Sequence, residues 1–114
     1  MATAIDPIAF AELQASAGAD FVRELIDTFL EEAPPMLAEL REALAGARAE
    51  PFRRAAHSLK SNASTFGAAT LAATARDLEV RAADVVSARD TQPVEALARE
   101  YAAAAAALAD LTRG

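Results

Sequence analysis

The sequence predicts an all-α protein, and three observations favour that class. Alanine supplies much of a composition that is 54% hydrophobic but only 5% aromatic, and alanine is the best helix former. Only four glycines and five prolines interrupt the 114 residues. Apolar residues recur at helical spacings, and no alternating β-branched run is as long as a strand. We therefore expect an antiparallel four-helix bundle with a short additional N-terminal helix, forming one domain over residues 1–114.

Helix-start and helix-stop residues divide the first half of the chain. Asp6 precedes a proline and is expected to cap a short first helix, which Gly18 should end. Asp20 is expected to cap the next helix. The apolar stripe of that helix keeps its phase through Pro34-Pro35 and stops at Gly46. The two prolines allow either two helices or one long kinked helix.

Three further helices are predicted in the second half. The central one starts near Pro51, runs to about residue 66 and ends at Gly67. Apolar residues at spacings of four and three over 71–85 predict the next helix as one continuous segment. A loop at 90–93 then leads into a last helix, whose apolar positions extend over 94–111.

Composition and charge argue against several classes of function. The chain has no cysteine and one histidine, which excludes disulfides and argues against a transition-metal site. It shows no signal-peptide pattern and no apolar segment of membrane-spanning length, so we expect a cytoplasmic protein without membrane contact. Residues 1–50 carry a charge balance of −7 and residues 51–114 one of +1. An acidic chain with one locally basic region is not expected to bind nucleic acid. The basic region is compatible with binding one particular anion.

The only histidine and the only lysine, His57 and Lys60, lie three residues apart on the predicted central helix. At about 100° per residue, the apolar residues of this helix gather on one side. These residues are Phe52, Ala55, Leu59, Ala63 and Phe66. His57 projects on the opposite side, among small or basic residues that lie within roughly 60° of it. Those neighbours are Arg53, Lys60, Ser61 and Ser64. His57 is therefore expected to face solvent within a shallow basic surface, which suits a nucleophile better than a packing residue.

Residues around and beyond the histidine match a known family in type and spacing. They are His57, Leu59, Lys60, the pair Gly67-Ala68 ten residues after the histidine, Leu71, and the pair Leu78-Glu79. The upstream segment Phe29-Leu30-Glu31-Glu32-Ala33-Pro34, followed by Leu37 and Leu40, looks like the second and third helices of that family. The sequence therefore resembles the histidine-containing phosphotransfer (HPt) domain family over roughly residues 8–85, and more weakly in its last helix.

The resemblance implies a phosphorelay intermediate. In that family the histidine accepts a phosphoryl group from an aspartyl phosphate on a receiver domain and passes it to another receiver. By similarity, His57 is the phosphorylated residue, Lys60 stabilises the phosphoryl charge, and Glu79 lies near the histidine from the neighbouring helix. Ser61 departs from the family pattern, which usually has glycine after the lysine. Serine narrows the room for a partner loop at this position.

The chemistry of the residues agrees with this interpretation. A nucleophilic imidazole must be neutral, and histidine changes its charge close to neutral pH. Phosphoryl transfer needs alignment and charge stabilisation more than covalent work, and one nearby cation supplies part of the second. The chain has no Gly-rich phosphate loop and no acidic cluster near His57. We therefore expect a phosphohistidine intermediate without autonomous kinase activity, and no cofactor in this chain, with Mg²⁺ on the partner receiver.

Partners and docking residues follow from the same resemblance. Response-regulator receiver domains, and a hybrid sensor histidine kinase, are expected to bind a monomer of this chain. Small side chains beside His57 allow close approach. The candidate partner-binding residues are Arg53, Ser61, Ser64 and Gly67. Arg54, Arg76 and Arg81 fit the usual role of helical arginines as solvated partners of nearby acids, with docking or phosphate binding as the alternative.

Two alternative functions remain. A helical adaptor would bind a partner without chemistry and would not need His57. The phosphoacceptor domain of a chemotaxis-type histidine kinase shares the motif but belongs to a multidomain chain. Radiolabel on the histidine distinguishes the adaptor from a phosphotransfer protein, because only the second forms phosphohistidine.

Overall fold

The computed structural model describes residues 4–112, most of which lie in six α-helices. They are α1 Pro7–Ala17, α2 Ala19–Ala45, α3 Ala49–Thr65, α4 Ala69–Val80, α5 Ala82–Ala88 and α6 Gln92–Thr112. No strand occurs between residues 4 and 112. The predicted all-α class is therefore confirmed. None of these six helices combines the length and the apolar character that a membrane span requires.

The predicted ends of the first helix are confirmed, whereas the predicted cap of the second is wrong. The Asp6 carboxylate accepts a hydrogen bond from the Ile8 N–H at 3.0 Å, and Gly18 ends α1 at a φ of 92°. α2 begins directly after Gly18, because the Val22 N–H already donates to the Gly18 carbonyl at 3.0 Å. Asp20 therefore lies inside the first turn, where its charge still favours the positive helix end but caps no amide.

The two prolines of the second helix do not divide it. One helix of 27 residues contains both Pro34 and Pro35. Both prolines lie on its exposed side, whereas Ala33 and Leu37 beside them are buried in the core. The defect that each proline introduces into the backbone ladder therefore faces water. Of the two arrangements that the sequence allowed, the single helix is the observed one.

The segment after the central helix differs from the predicted continuous helix. Arg81 leaves the helical conformation at φ −97° and ψ 16°, and it separates α4 from the short α5. Beyond this break, Ala82, Val85 and Val86 are all buried. Val85 and Val86 project about 100° apart within α5, and this helix contacts both α2 and α3.

The third helix lies at the centre of the packing. It contacts α2, α4 and α5, while α6 contacts α2 and α4. Every residue on the predicted apolar side of α3 is buried, with an exposure of 3% or less. At the end of that side, the ring of Phe66 lies 5.4 Å from the ring of Phe29, which in turn lies 5.5 Å from the ring of Tyr101. Because this side is enclosed, the opposite side of α3 faces outward and carries His57.

Candidate functional site

His57 lies in the middle of α3, and its side chain is 53% exposed. The predicted solvent-facing orientation is therefore observed. It follows from helical geometry, since the apolar residues of α3 leave only the opposite side for the imidazole. A partner molecule can reach the ring without any rearrangement of the core.

Glu79 of α4 fixes the orientation of that ring. Its Oε2 atom lies 2.8 Å from the Nδ1 atom of His57. An ionised carboxylate can only accept a hydrogen bond, so Nδ1 carries the proton and donates it. In the neutral ring, Nε2 then keeps its lone pair. The contact therefore leaves Nε2 as the ring nitrogen with a free lone pair.

The second oxygen of the same carboxylate binds the lysine. The Lys60 Nζ atom lies 3.0 Å from Oε1 of Glu79. The Glu79 side chain is 17% exposed and that of Lys60 is 28% exposed. The hydrogen bond from Lys60, and then that from His57, lower the pKa of Glu79 below its ordinary value of 4.5, although burial opposes the change. Glu79 is therefore ionised at neutral pH and holds the lysine and the imidazole on adjacent positions.

Arg53 lies one turn before the histidine but is engaged elsewhere. Its Nε atom donates to Oε2 of Glu50 at 2.9 Å, and a second contact joins Nη2 to Oε1. The hydrogen bond that Arg53 donates to Glu50 raises the pKa of Arg53, and the more distant charge of Glu79 acts in the same direction. The structure therefore does not bring Arg53 into contact with His57. To meet a phosphoryl group, Arg53 would have to exchange its partner.

The remaining candidate docking residues occupy two different surroundings. Ser61 and Ser64 are exposed on the same side of α3 as His57. Gly67 lies in the turn after α3 with a φ of +72°, and its carbonyl accepts a hydrogen bond from the Asp6 N–H at 2.9 Å. A Cβ atom at Gly67 would lie 2.8 Å from the Cβ of Ala9. The turn and the close approach of α1 thus explain this glycine, and its partner-binding role stays a prediction.

Two grooves border α3 on either side of the histidine. The α3–α4 groove has a volume of about 610 Å³, and its lining residues are Lys60, Ser64, Gly67, Ala69, Ala72, Ala73 and Arg76. The α2–α3 groove has a volume of about 500 Å³, and its lining residues are Met36, Glu39, Glu42, Ala43, Arg48, Pro51, Arg54, Ala55 and Ser58. His57 therefore stands on a ridge from which a partner can reach either groove.

The four arginines near the site differ in their partners. Arg81 donates to Asp77 at 2.9 Å, so it matches the expected role of a solvated ion-pair partner. Arg53 is paired as well. Arg54 and Arg76 make no hydrogen bond or ion pair within residues 4–112. Docking or phosphate binding is only the alternative interpretation of Arg76 in the sequence, although its position three residues before Glu79 places both on neighbouring parts of one helix surface.

Comparison with known proteins agrees with the site. The family model of the Hpt domain matches residues 24–110. The chain is similar to the crystal structure of histidine-containing phosphotransfer protein B (HptB) from Pseudomonas aeruginosa PAO1, with 29% sequence identity and a TM-score of 0.88. The match covers 99% of this chain and 97% of that one. No curated protein sequence matches the chain.

The family match extends over most of the chain and includes His57, Lys60 and Glu79. A helical adaptor without chemistry does not account for this family match. The function is histidine phosphotransfer in a phosphorelay, in which Hpt proteins interact with receiver domains. The chain belongs to the Hpt domain family.

Proposed function

We propose that His57 accepts a phosphoryl group from the aspartyl phosphate of one receiver domain and passes it to an aspartate of another. The observation that supports this most is the 2.8 Å contact between Nδ1 of His57 and Glu79, because it leaves Nε2 free on an exposed ring. His57 is also the only histidine in the sequence, so phosphohistidine can form nowhere else.

The transfer exchanges one bond to phosphorus for another. The lone pair of Nε2 attacks the phosphorus atom, and the bond between phosphorus and the receiver aspartate breaks, with its electron pair leaving on the carboxylate. The imidazole keeps its proton on Nδ1 and becomes positively charged. Glu79 stabilises that charge, because its carboxylate accepts the Nδ1–H hydrogen bond. The same steps in reverse pass the phosphoryl group to the second receiver.

Lys60 supplies the cation in this mechanism. It lies one turn from His57, and its ammonium group is held by Glu79 beside the imidazole. There it can reach oxygens of the phosphoryl group in transit and act as a fixed point charge. Because both functional side chains share one carboxylate, Glu79 positions the nucleophile and the cation together.

The partners are response-regulator receiver domains and a hybrid sensor histidine kinase, and the chain acts on them as a monomer. The docking surface includes Arg53, Ser61 and Ser64 on α3 and Gly67 in the turn after it. Within residues 4–112 no group of three or more histidine, aspartate and glutamate side chains could hold a metal ion. We assign the Mg²⁺ ion of the reaction to the receiver domain because the family resemblance implies it.

The frame for this site is an antiparallel four-helix bundle, with the short α1 outside it. Its four members are α2, α3, the α4–α5 segment and α6. Their contacts support this architecture, because each member contacts both of its neighbours around a closed ring, and α2 also contacts α5 across it. Such a frame holds α3 and α4 at a constant separation, so that Glu79 and His57 stay within hydrogen-bond distance.

The test is transfer of radiolabel from purified phosphorylated receivers to this chain. Wild-type protein should acquire acid-labile label, and the His57→Gln variant should acquire none. That variant should keep its fold, because an exchange of polar residues on the surface changes stability by less than about 0.5 kcal/mol. Label on the variant, or its absence from wild-type protein with every receiver tried, would contradict the proposal.

A further inference from the structure

The two grooves beside His57 differ in charge. The α2–α3 groove contains both signs, because Glu39 and Glu42 line one wall and Arg48 and Arg54 the other. In the α3–α4 groove both charged lining residues are cations, and no acidic side chain lines it. Lys60 is the first of these cations, and Glu79 already balances its charge at 3.0 Å. Arg76 is the second, and no partner balances it within the described residues.

An uncompensated arginine in this place is notable in a chain of net charge −6. Helical arginines usually pair with nearby acids, as Arg81 does with Asp77. Arg76 instead borders an open groove whose wall on its own helix consists of Ala69, Ala72 and Ala73. These side chains are too short to cover the guanidinium or to fill the groove. The groove therefore offers an unpaired cation above a small apolar floor.

A receiver that reaches His57 must also cover part of the adjoining surface. A stable protein interface buries about 800 Å² on each partner. The described chain has an accessible surface of 6373 Å², so such an interface extends well beyond a single imidazole. The α3–α4 groove contains Lys60 and therefore adjoins the site directly.

We propose that the α3–α4 groove holds an acidic segment of the receiver domain and that Arg76 pairs with a carboxylate of that segment. The inference rests on the proposed function, because it assigns part of the surface on which the receiver docks. Charge complementarity requires an acidic occupant. A volume of about 610 Å³ is far larger than a phosphate group and fits side chains of a folded partner. A second copy of this chain, with its balance of −7 over residues 1–50, is the competing acidic occupant.

The test compares charge reversals in the two grooves. Arg76→Glu and Arg54→Glu each change the net charge by the same amount, so long-range electrostatics change equally. The probe is the receiver domain that transfers label to wild-type chain fastest, titrated in its unphosphorylated form. Arg76→Glu should raise the Kd about tenfold or more, whereas Arg54→Glu should raise it about threefold or less. Half-molar salt should remove the difference, because an exposed ion pair is screened.

A milder variant protects the test against misfolding. If circular dichroism shows that Arg76→Glu is unfolded, Arg76→Gln replaces it, with an expected rise in Kd of about threefold. At saturating receiver, both variants should still acquire label on His57, since Arg76 is assigned to docking and not to the chemistry.

Four results would overturn the inference. The first is an unchanged Kd for Arg76→Glu together with normal labelling of His57, which leaves the proposed function intact. The second is an equal or larger effect of Arg54→Glu, which assigns docking to the other groove or to general charge. The third is a wild-type dimer in sedimentation equilibrium that Arg76→Glu dissociates, which makes a second copy the occupant. Failure of every receiver to label wild-type chain would overturn this inference and the proposed function together.

Discussion

Glu79 and Glu95 each join two helices by binding a cation on another helix. Only Glu79 also binds a histidine, one nitrogen of which stays free. Glu95 of α6 accepts both hydrogen bonds from one guanidinium, that of Arg41 on α2, at 3.1 Å each. Glu79 of α4 divides its two oxygens between Lys60 and His57 on α3. The Glu95 side chain is 46% exposed, compared with 17% for Glu79.

The comparison shows which feature of an ion pair indicates function. Both oxygens of Glu95 accept hydrogen bonds from Arg41, and the contact orients no nucleophile. Glu79 holds a titratable ring by one nitrogen only, so the other nitrogen faces the solvent with a free lone pair. A carboxylate that closes a pair stabilises structure, whereas one that orients a nucleophile positions it for chemistry.

The largest difference between these two carboxylates should be seen when each is removed. Glu79→Ala frees the imidazole to place its proton on either nitrogen, and it removes the charge that stabilises the phosphorylated ring. We expect phosphoryl transfer to His57 to slow about a hundred-fold. Glu95→Ala should leave the rate unchanged. Rapid-quench measurements at saturating receiver compare the two variants.

A matched control separates the geometry from the charge of Glu79. In Glu79→Gln the amide oxygen can still accept the Nδ1–H hydrogen bond, but the negative charge is lost. Its rate should therefore lie between those of wild type and Glu79→Ala. Equal rates for Glu79→Ala and Glu95→Ala would remove the distinction between the two contacts.

Removal of Lys60 and removal of Arg41 should also affect the transfer rate differently, but by a smaller factor than removal of the two carboxylates. Lys60→Ala should slow transfer about ten- to thirty-fold, because a phosphoryl contact on a partly exposed surface contributes less than one in a dry site. Binding of the receiver should change little. Arg41→Ala should alter neither the rate nor the binding. Single-turnover transfer kinetics test this prediction. A wild-type rate for Lys60→Ala would show that Lys60 is an ordinary surface lysine.

The smallest effect concerns the dependence of stability on pH. Lys60 lowers the pKa of Glu79, and Arg41 lowers that of Glu95, so both carboxylates have folded-state pKa values below 4.5. Each therefore contributes stability above the ordinary pKa and loses it as the pH falls through the lower folded-state value. Urea unfolding between about pH 6 and pH 3 should show a shallower decline in Glu79→Gln and in Glu95→Gln than in wild type. A steeper decline in either variant would contradict the assigned contacts.

Local features of the fold could be predicted because their causes lie within a few residues. The N-cap at Asp6 depends only on its neighbours in the chain. The outward orientation of His57 depends only on the 3.6-residue period of α3. The break at Arg81 could not be predicted, because the apolar spacing over 71–85 continues through it and no glycine or proline marks it. Asp20 failed as a cap because Gly18 could both end one helix and begin the next.

The site could be predicted only in part, because some of its contacts join residues that are far apart in the sequence. His57 and Lys60 share one turn, so the sequence could place them together. Glu79 is 22 residues from His57, and its contact depends on how α4 packs against α3. Only the family resemblance indicated it beforehand. The pairing of Arg81 is readable, because Asp77 lies four residues before it. The lack of a partner at Arg76 is not, because Glu79, three residues after it, contacts His57 and Lys60 instead.

The central claim is that Glu79 fixes the proton on Nδ1 of His57 and leaves Nε2 as the nucleophile. NMR of protein containing ¹⁵N-labelled histidine tests it most directly, because the chain has a single histidine. In the neutral ring, Nδ1 should carry the proton in wild type and lose that preference in Glu79→Ala. After phosphorylation, coupling to ³¹P should appear on Nε2. A neutral ring protonated mainly on Nε2, or phosphorus bonded to Nδ1, would contradict the claim.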